Sequence, residues 1–126
     1  MTDRELLNLA WEAAKKAYAP YSRFPVGAAL ECMDGRVFTG CNVENAALGD
    51  TICAERCAVL KAVSEGFTSF RRIAIYAEGE NYCMPCGSCL QVLSEFSRDM
   101  EVLCCKAGGR YVSYKLNQLI PHTFKY

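Results

Sequence analysis

The sequence predicts an α/β domain in which one sheet of five strands is covered by helices on both faces. Segments with apolar residues at helical spacing alternate with short runs rich in β-branched residues, in the order α-β-β-α-β-α-β-β. The 126 residues are 52% hydrophobic and 22% charged, which is an ordinary globular composition and enough for one core. We therefore expect residues 1–126 to form a single domain with three layers.

The first elements are a helix and a hairpin. Residues 2–18 carry leucine and alanine at helical spacing, and Thr2 with Glu5 three residues later forms a capping box. Two prolines in "YAPYSRFPVG" end this helix. The stretch "VGAALECMDGRVFTGCNVEN" then predicts two strands joined by a turn at Asp34 and Gly35.

Helices and strands alternate in the rest of the chain. Residues 53–65 present one apolar helical face, and Gly66 stands where a C-terminal cap belongs. "RRIAIYAE" predicts a strand, Pro85 precedes a helical pattern in "PCGSCLQVLSEF", and "MEVLCCKA" and "YVSYK" predict two further strands. We expect "LNQLIPHTFKY" to be a short closing helix or a tail.

Charge and cysteine content limit the classes of function. Fourteen basic and fourteen acidic residues cancel, and no run of like charge marks a surface for nucleic acid. The apolar runs are too short to span a bilayer, and the N-terminus lacks the pattern of a signal peptide. We expect a cytoplasmic protein without nucleic-acid or membrane partners. Nine cysteines in such a chain favour metal binding or catalysis over disulfides.

Three cysteines at predicted helix starts form the candidate metal site. Cys86 and Cys89 in "PCGSC" are close enough to hold one ion, and Cys53 opens the other internal helix. Helix N-termini carry partial positive charge and unpaired N–H groups, so both places favour thiolates. A catalytic zinc keeps three protein ligands, whereas a structural zinc has four.

Spacing alone leaves two alternatives open. Cys57 lies four residues after Cys53 on the same helical face, so a closed structural site of four cysteines is possible. A redox disulfide between Cys86 and Cys89 is the second alternative, although no clear thioredoxin-like order of strand and helix surrounds them.

Glu55 and Arg56 favour a catalytic site. Glu55 is placed where its carboxylate reaches a water on the metal without binding the metal itself. Three thiolates on a divalent ion leave a net negative charge, which Arg56 is placed to offset. Taken alone, Glu55 would be interpreted as a solvated glutamate favoured by the helix dipole, and Arg56 as a surface arginine.

The residues "CAER" followed by "PCGSC" resemble the zinc-dependent nucleoside deaminases, whose signature is H-x-E or C-x-E and then P-C-x-x-C. The blocks "YAPYSRFPVGAAL", "GCNVENA", "KAVSEG" and "LIPHTF" extend the resemblance to the small homotetrameric cytidine deaminases over nearly the whole chain. This resemblance implies a three-layer α/β/α cytidine deaminase-like fold with a five-stranded mixed sheet. It also implies one zinc ion per subunit and active sites shared within a homotetramer.

Carried over position by position, the resemblance implies a role for each candidate residue. Cys53, Cys86 and Cys89 are the zinc ligands, and Glu55 is the proton shuttle, while Cys57 is a bystander. Arg56 hydrogen-bonds ligand sulfurs. The substrate-binding residues are Asn42 and Glu44 at the ribose 3′-hydroxyl, Phe24 and Ala54 near the nucleoside, and Phe124, which reaches into a neighbouring subunit and packs on the base. Alternation along a strand places positions 42 and 44 on one side.

The implied reaction is hydrolytic deamination of cytidine and deoxycytidine to uridine and deoxyuridine with release of ammonia, in pyrimidine salvage. Deamination of another cytosine compound such as blasticidin S, and a structural zinc module without turnover, are the alternatives. Two positions depart from the family pattern: many relatives have an aromatic where Leu48 stands and an arginine where Leu90 stands. His122, the sole histidine, matches no ligand position.

Overall fold

Four α-helices and five β-strands make up the fold, and the computed structural model describes all 126 residues. The elements are α1 (Asp3–Ala14), β1 (Val26–Cys32), β2 (Val37–Cys41), α2 (Ala54–Ser64), β3 (Phe70–Ala77), α3 (Gly87–Ser94), β4 (Glu101–Cys105), β5 (Tyr111–Lys115) and α4 (Leu116–Leu119). The strands form one sheet in the order β2-β1-β3-β4-β5, parallel only between β3 and β4. The predicted element order and five-stranded mixed sheet are confirmed. None of the helices has both the length and the apolar character needed to cross a membrane.

Separate apolar clusters cover the two faces of the sheet. On one face, α1 packs through Leu7 against Ala74 of β3. On the other, Ile73 and Ile75 of the same strand join a cluster with Val59 of α2 and with residues of α3 and α4. Because successive side chains of a strand point to opposite faces, β3 contributes to both clusters. The predicted three-layer α/β/α arrangement is therefore confirmed.

Several predicted caps and turns are present. The Thr2 hydroxyl accepts a hydrogen bond from the N–H of Glu5 at 3.1 Å. Strands β1 and β2 pair in antiparallel fashion on either side of the turn at Asp34 and Gly35. Gly66 follows α2 with φ at +93°, the left-handed conformation that favours glycine after a helix.

Helix α1 is shorter than predicted, because it ends at Ala14 and not at residue 18. The segment that follows pairs with the chain beyond β2. The Tyr18 N–H donates to the carbonyl of Asn42 at 3.0 Å, and the Tyr18 carbonyl accepts from the N–H of Glu44 at 2.8 Å. These long-range bonds replace the last helical turn and attach this segment to residues 42–44.

Helix α2 lies directly against β2 because position 40 has no side chain. A Cβ atom on Gly40 would lie 2.5 Å from the carbonyl oxygen of Ala54 and 2.6 Å from the nitrogen of Ala58. Glycine permits this close approach of strand and helix backbones. The first turn of α2 is thereby fixed against the sheet, and this turn carries Glu55.

Candidate active site

The N-termini of α2 and α3 bring three cysteines together. Cys53 and Cys86 are the N-cap residues of these helices, both with extended backbone, and Cys89 lies in the first turn of α3. The three sulfur atoms all lie within 4.8 Å of one another. Each helix N-terminus adds partial positive charge beside the sulfurs, which favours thiolates over thiols.

Cys57 is not part of this cluster, although it lies one helical turn after Cys53. Its Cβ atom instead lies next to β2, 2.9 Å from the place that a Cβ atom on Gly40 would occupy. All nine cysteines are free thiols, so no disulfide joins Cys86 to Cys89. The protein therefore offers three clustered sulfur ligands, the number of protein ligands that a catalytic zinc keeps.

Hydrogen bonds around the sulfurs favour ionisation of Cys53. The Cys89 thiol, followed by the Arg56 guanidinium, lowers the pKa of Cys53 to about 5 by hydrogen bonding to its sulfur. The Nη2 atom of Arg56 lies 3.3 Å from that sulfur. The same bond to Cys53, together with burial, raises the pKa of the Cys89 thiol. A divalent cation bound here would displace the remaining thiol protons.

This donor set fits zinc. Thiolates are soft ligands that zinc binds readily, and three of them on a divalent ion leave one negative charge. The Arg56 guanidinium lies next to that charge through its contact with Cys53. Its Nε atom is buried without a hydrogen-bond partner, a desolvated cationic donor that an adjacent anionic cluster would compensate.

Glu55 follows Cys53 by two residues, in the first turn of α2. Its residue surface is only 5% exposed, which contradicts the alternative of a solvated surface glutamate. Burial, with a further contribution from the charge of Cys53, raises the pKa of the Glu55 carboxyl to about 7. A carboxyl group with a pKa near neutrality both accepts and donates protons readily, as acid–base catalysis requires.

Asn42 and Phe24, both predicted to bind substrate, lie in direct contact. The Asn42 side-chain amide donates to the carbonyl of Phe24 at 3.0 Å and accepts from the N–H of Val26 at 2.9 Å. The Phe24 ring lies beside Gly79, where an added Cβ atom would be 3.1 Å from the ring. Asn42 therefore holds the backbone that carries Phe24.

Glu44 lies near the same loop and binds it through its carboxylate. Oε1 accepts hydrogen bonds from the N–H groups of Tyr21 at 2.9 Å and Ser22 at 3.0 Å, and Oε2 accepts from the Ser22 hydroxyl. The bonds from Ser22 hold the pKa of Glu44 below its usual value. In the sequence, the only signal for Ser22 is its place two residues before Phe24 in "YSRFP", and nothing there predicts its contact with Glu44.

The remaining predicted residues lie in different surroundings. Ala54 is fully buried where α2 begins, between Cys53 and Glu55. Phe124 belongs to the C-terminal tail, where its N–H and carbonyl each bond the Gln91 side chain at 3.1 Å. Phe124 is 75% exposed, so its ring is not packed into the core of its own chain. Of the two departures from the family pattern, Leu48 is exposed and Leu90 is buried.

Three clustered cysteines with a buried carboxyl between two helix starts, on a five-stranded mixed sheet, define the class of zinc-dependent deaminases. The family model described as "Cytidine and deoxycytidylate deaminase zinc-binding region" matches residues 1–106, which include the cluster and Glu55. The chain therefore belongs to the cytidine and deoxycytidylate deaminase family.

Individual relatives match along nearly the whole chain. A cytidine deaminase of Sporosarcina psychrophila is 42% identical over 125 residues, covering 98% of this chain and 92% of the relative. One of Mycobacterium tuberculosis (strain ATCC 25618 / H37Rv) is 53% identical over 116 residues, covering 91% of this chain and 84% of the relative. The crystal structure of a cytidine deaminase from Burkholderia pseudomallei, 42% identical, superimposes with a TM-score of 0.95, covering 98% of this chain and 100% of that chain.

Proposed function

We propose that the protein is a zinc-dependent hydrolase that converts cytidine and deoxycytidine to uridine and deoxyuridine and releases ammonia. The observation that carries this proposal is the buried carboxyl of Glu55 beside three clustered sulfur ligands. Relatives named cytidine deaminase, 42% and 53% identical over nearly the whole chain, support the choice of substrate.

Cys53, Cys86 and Cys89 would hold the zinc, and Arg56 would balance the charge of the three thiolates. Zinc bound by three protein ligands activates water as a nucleophile at neutral pH. Arg56 already donates to the sulfur of Cys53 at 3.3 Å, so this part of the site is organised within the protein itself.

Glu55 carries the protons of the reaction. Its carboxylate accepts a proton from the attacking water and delivers it to N3 of the pyrimidine as a C–O bond forms at C4. The Glu55 carboxylate then takes the remaining proton of the new C4 hydroxyl and transfers it to the amino group, so that the C4–N bond breaks, the C4 carbonyl forms and ammonia is released. A pKa of about 7 places Glu55 midway between proton donor and acceptor at neutral pH.

Asn42 and Glu44 hold the ribose 3′-hydroxyl, while Phe24 and Ala54 contact the nucleoside. Both polar residues contact the loop that carries Phe24, and this common loop supports their assignment to one ligand. The carboxylate of Glu44 has acceptor capacity beyond its bonds to Tyr21 and Ser22, since each oxygen has two lone pairs.

The active enzyme is a homotetramer in which Phe124 of one subunit packs on the base bound by its neighbour. Support comes from the tail, because Gln91 fixes the backbone of Phe124 and leaves the residue 75% exposed. Light scattering on the zinc-loaded protein should give a mass four times that of the chain. A monomer that is fully active would contradict both the tetramer and the role of Phe124.

Residues 1–126 act as one catalytic domain, and its setting is pyrimidine salvage in the cytoplasm. Nine free thiols favour a reducing compartment, and the reaction interconverts free nucleosides. Fractionation of the source cells with an antibody to the protein would show whether it co-purifies with cytoplasmic markers.

The decisive experiment measures ammonia release from cytidine and deoxycytidine, with zinc content determined on the same sample. We expect zinc near one ion per chain and turnover on the order of 1–1,000 per second. A folded, zinc-loaded sample that releases no ammonia from either nucleoside would overturn the proposal. Blasticidin S would then be the next substrate to assay.

A further inference from the structure

We infer that Ser22 is a positioning residue that links the ribose contact at Glu44 to the placement of the Phe24 ring. The inference rests on the proposed function, because it assumes that Glu44 and Phe24 contact one nucleoside. Ser22 itself contacts neither the clustered cysteines nor Glu55 through any hydrogen bond in the structure.

The Ser22 hydroxyl bonds both the Glu44 carboxylate and the Phe24 N–H, and no other residue hydrogen-bonds to both groups. It donates to Oε2 of Glu44, and it accepts from the N–H of Phe24 at 3.0 Å. The direction of both bonds is fixed by chemistry, since an ionised carboxylate only accepts and a backbone N–H only donates. Each bond polarises the hydroxyl in favour of the other, so the two contacts strengthen one another.

Side-chain hydrogen bonds hold this loop in place, together with one backbone bond from the Arg23 N–H to the Ala19 carbonyl at 2.9 Å. Arg23, between Ser22 and Phe24, has φ at +56°, a left-handed conformation that costs free energy for a residue with a side chain. Phe24 has its N–H bound by Ser22 and its carbonyl bound by Asn42 at 3.0 Å. Loss of the hydroxyl therefore removes one of the two hydrogen bonds to the Phe24 backbone.

The same loss loosens Glu44 without releasing it. The N–H groups of Tyr21 and Ser22 continue to hold Oε1, at 2.9 and 3.0 Å, but Oε2 loses its bond from Ser22. The carboxylate can then rotate about its remaining hydrogen bonds, so its orientation toward a ribose hydroxyl is less restrained. We expect the loss to weaken substrate binding more than it slows the chemical step, because the proton carrier Glu55 lies on α2 and not on this loop.

Kinetics with two substrates separate this role from general support of the loop. We expect Ser22→Ala to raise KM for cytidine about tenfold, with kcat within about twofold of wild type. With 3′-deoxycytidine, which lacks the hydroxyl assigned to Glu44, KM should rise only about twofold. Ser22→Thr keeps the hydroxyl and should restore KM for cytidine, and Ser64→Ala is the matched control, since that hydroxyl bonds only the Lys61 carbonyl on α2.

A readout without substrate tests the link to Phe24. Amide hydrogen exchange of zinc-loaded protein, resolved by NMR, should be faster at the Phe24 N–H in Ser22→Ala and unchanged in Ser64→Ala. Equal KM increases for both substrates, or unchanged exchange at Phe24, would overturn the inference. If the wild-type protein releases no ammonia from cytidine, the proposed function fails, and the exchange measurement still decides whether Ser22 restrains Phe24.

Discussion

Glu55→Gln is expected to retain its zinc and to lose turnover of cytidine by about 10³- to 10⁴-fold. The amide has nearly the same size and keeps the capacity to hydrogen-bond, but it cannot accept and release a proton at neutral pH. Because residue 55 is 5% exposed, bulk water has little access to replace the carboxyl as a proton carrier. The cysteine cluster does not use Glu55 as a ligand, so metal binding should survive.

Zinc content and ammonia release, measured on one preparation, test this expectation. Glu65→Gln is the matched control, since Glu65 follows the same helix and is exposed to solvent. The control should match wild type in both measurements. Substantial turnover in Glu55→Gln would rule out the carboxyl as the proton carrier, and loss of zinc would show that Glu55 supports the metal site.

The fold and the clustering of the three cysteines were predictable because the relevant signals are local. Cys86 and Cys89 are three residues apart at a helix start, and Cys53 lies two residues before Glu55, so each pair is placed by a single turn of helix. The hydrophobic patterns and turn residues are local in the same sense. They gave the order of all five strands and of the helices between them.

Features that depend on distant parts of the chain were less accessible. Cys57 has the right spacing to share a site with Cys53, and only the position of β2 and α3 shows that it lies outside the sulfur cluster. The end of α1 depends on bonds between Tyr18 and residues 42–44, which no helical pattern contains. Ser22 meets Glu44 across 22 positions, a contact that only the closed fold creates.

The burial of Glu55 could not be predicted from the sequence either. Glu55 in the first turn of a helix has the pattern of a solvated residue that favours the helix dipole. The fold encloses it instead, and that enclosure raises the pKa of its carboxyl to about 7. Its acid–base capacity therefore comes from the packing around α2, not from the local sequence.

Cys53→Ala is expected to lower zinc affinity by at least about 100-fold, whereas Cys57→Ala should leave it unchanged. The first variant removes one of the three clustered sulfurs and leaves the Arg56 guanidinium without its sulfur partner. The second removes a thiol of the same helix that faces β2. Zinc content after dialysis against a weak chelator, with thermal unfolding of the same samples, measures both effects.

The two cysteine variants also decide between an open and a closed metal site. A closed site would need Cys57 as its fourth ligand, so equal zinc loss in both variants would restore that alternative and leave no position for water. Zinc loss in Cys53→Ala alone, together with zinc retained in Glu55→Gln, would assign metal binding and proton transfer to different residues of one helical turn. Because Cys53 and Glu55 are two positions apart on the end of α2, the packing of that helix against β2 at Gly40 then positions both functions at once.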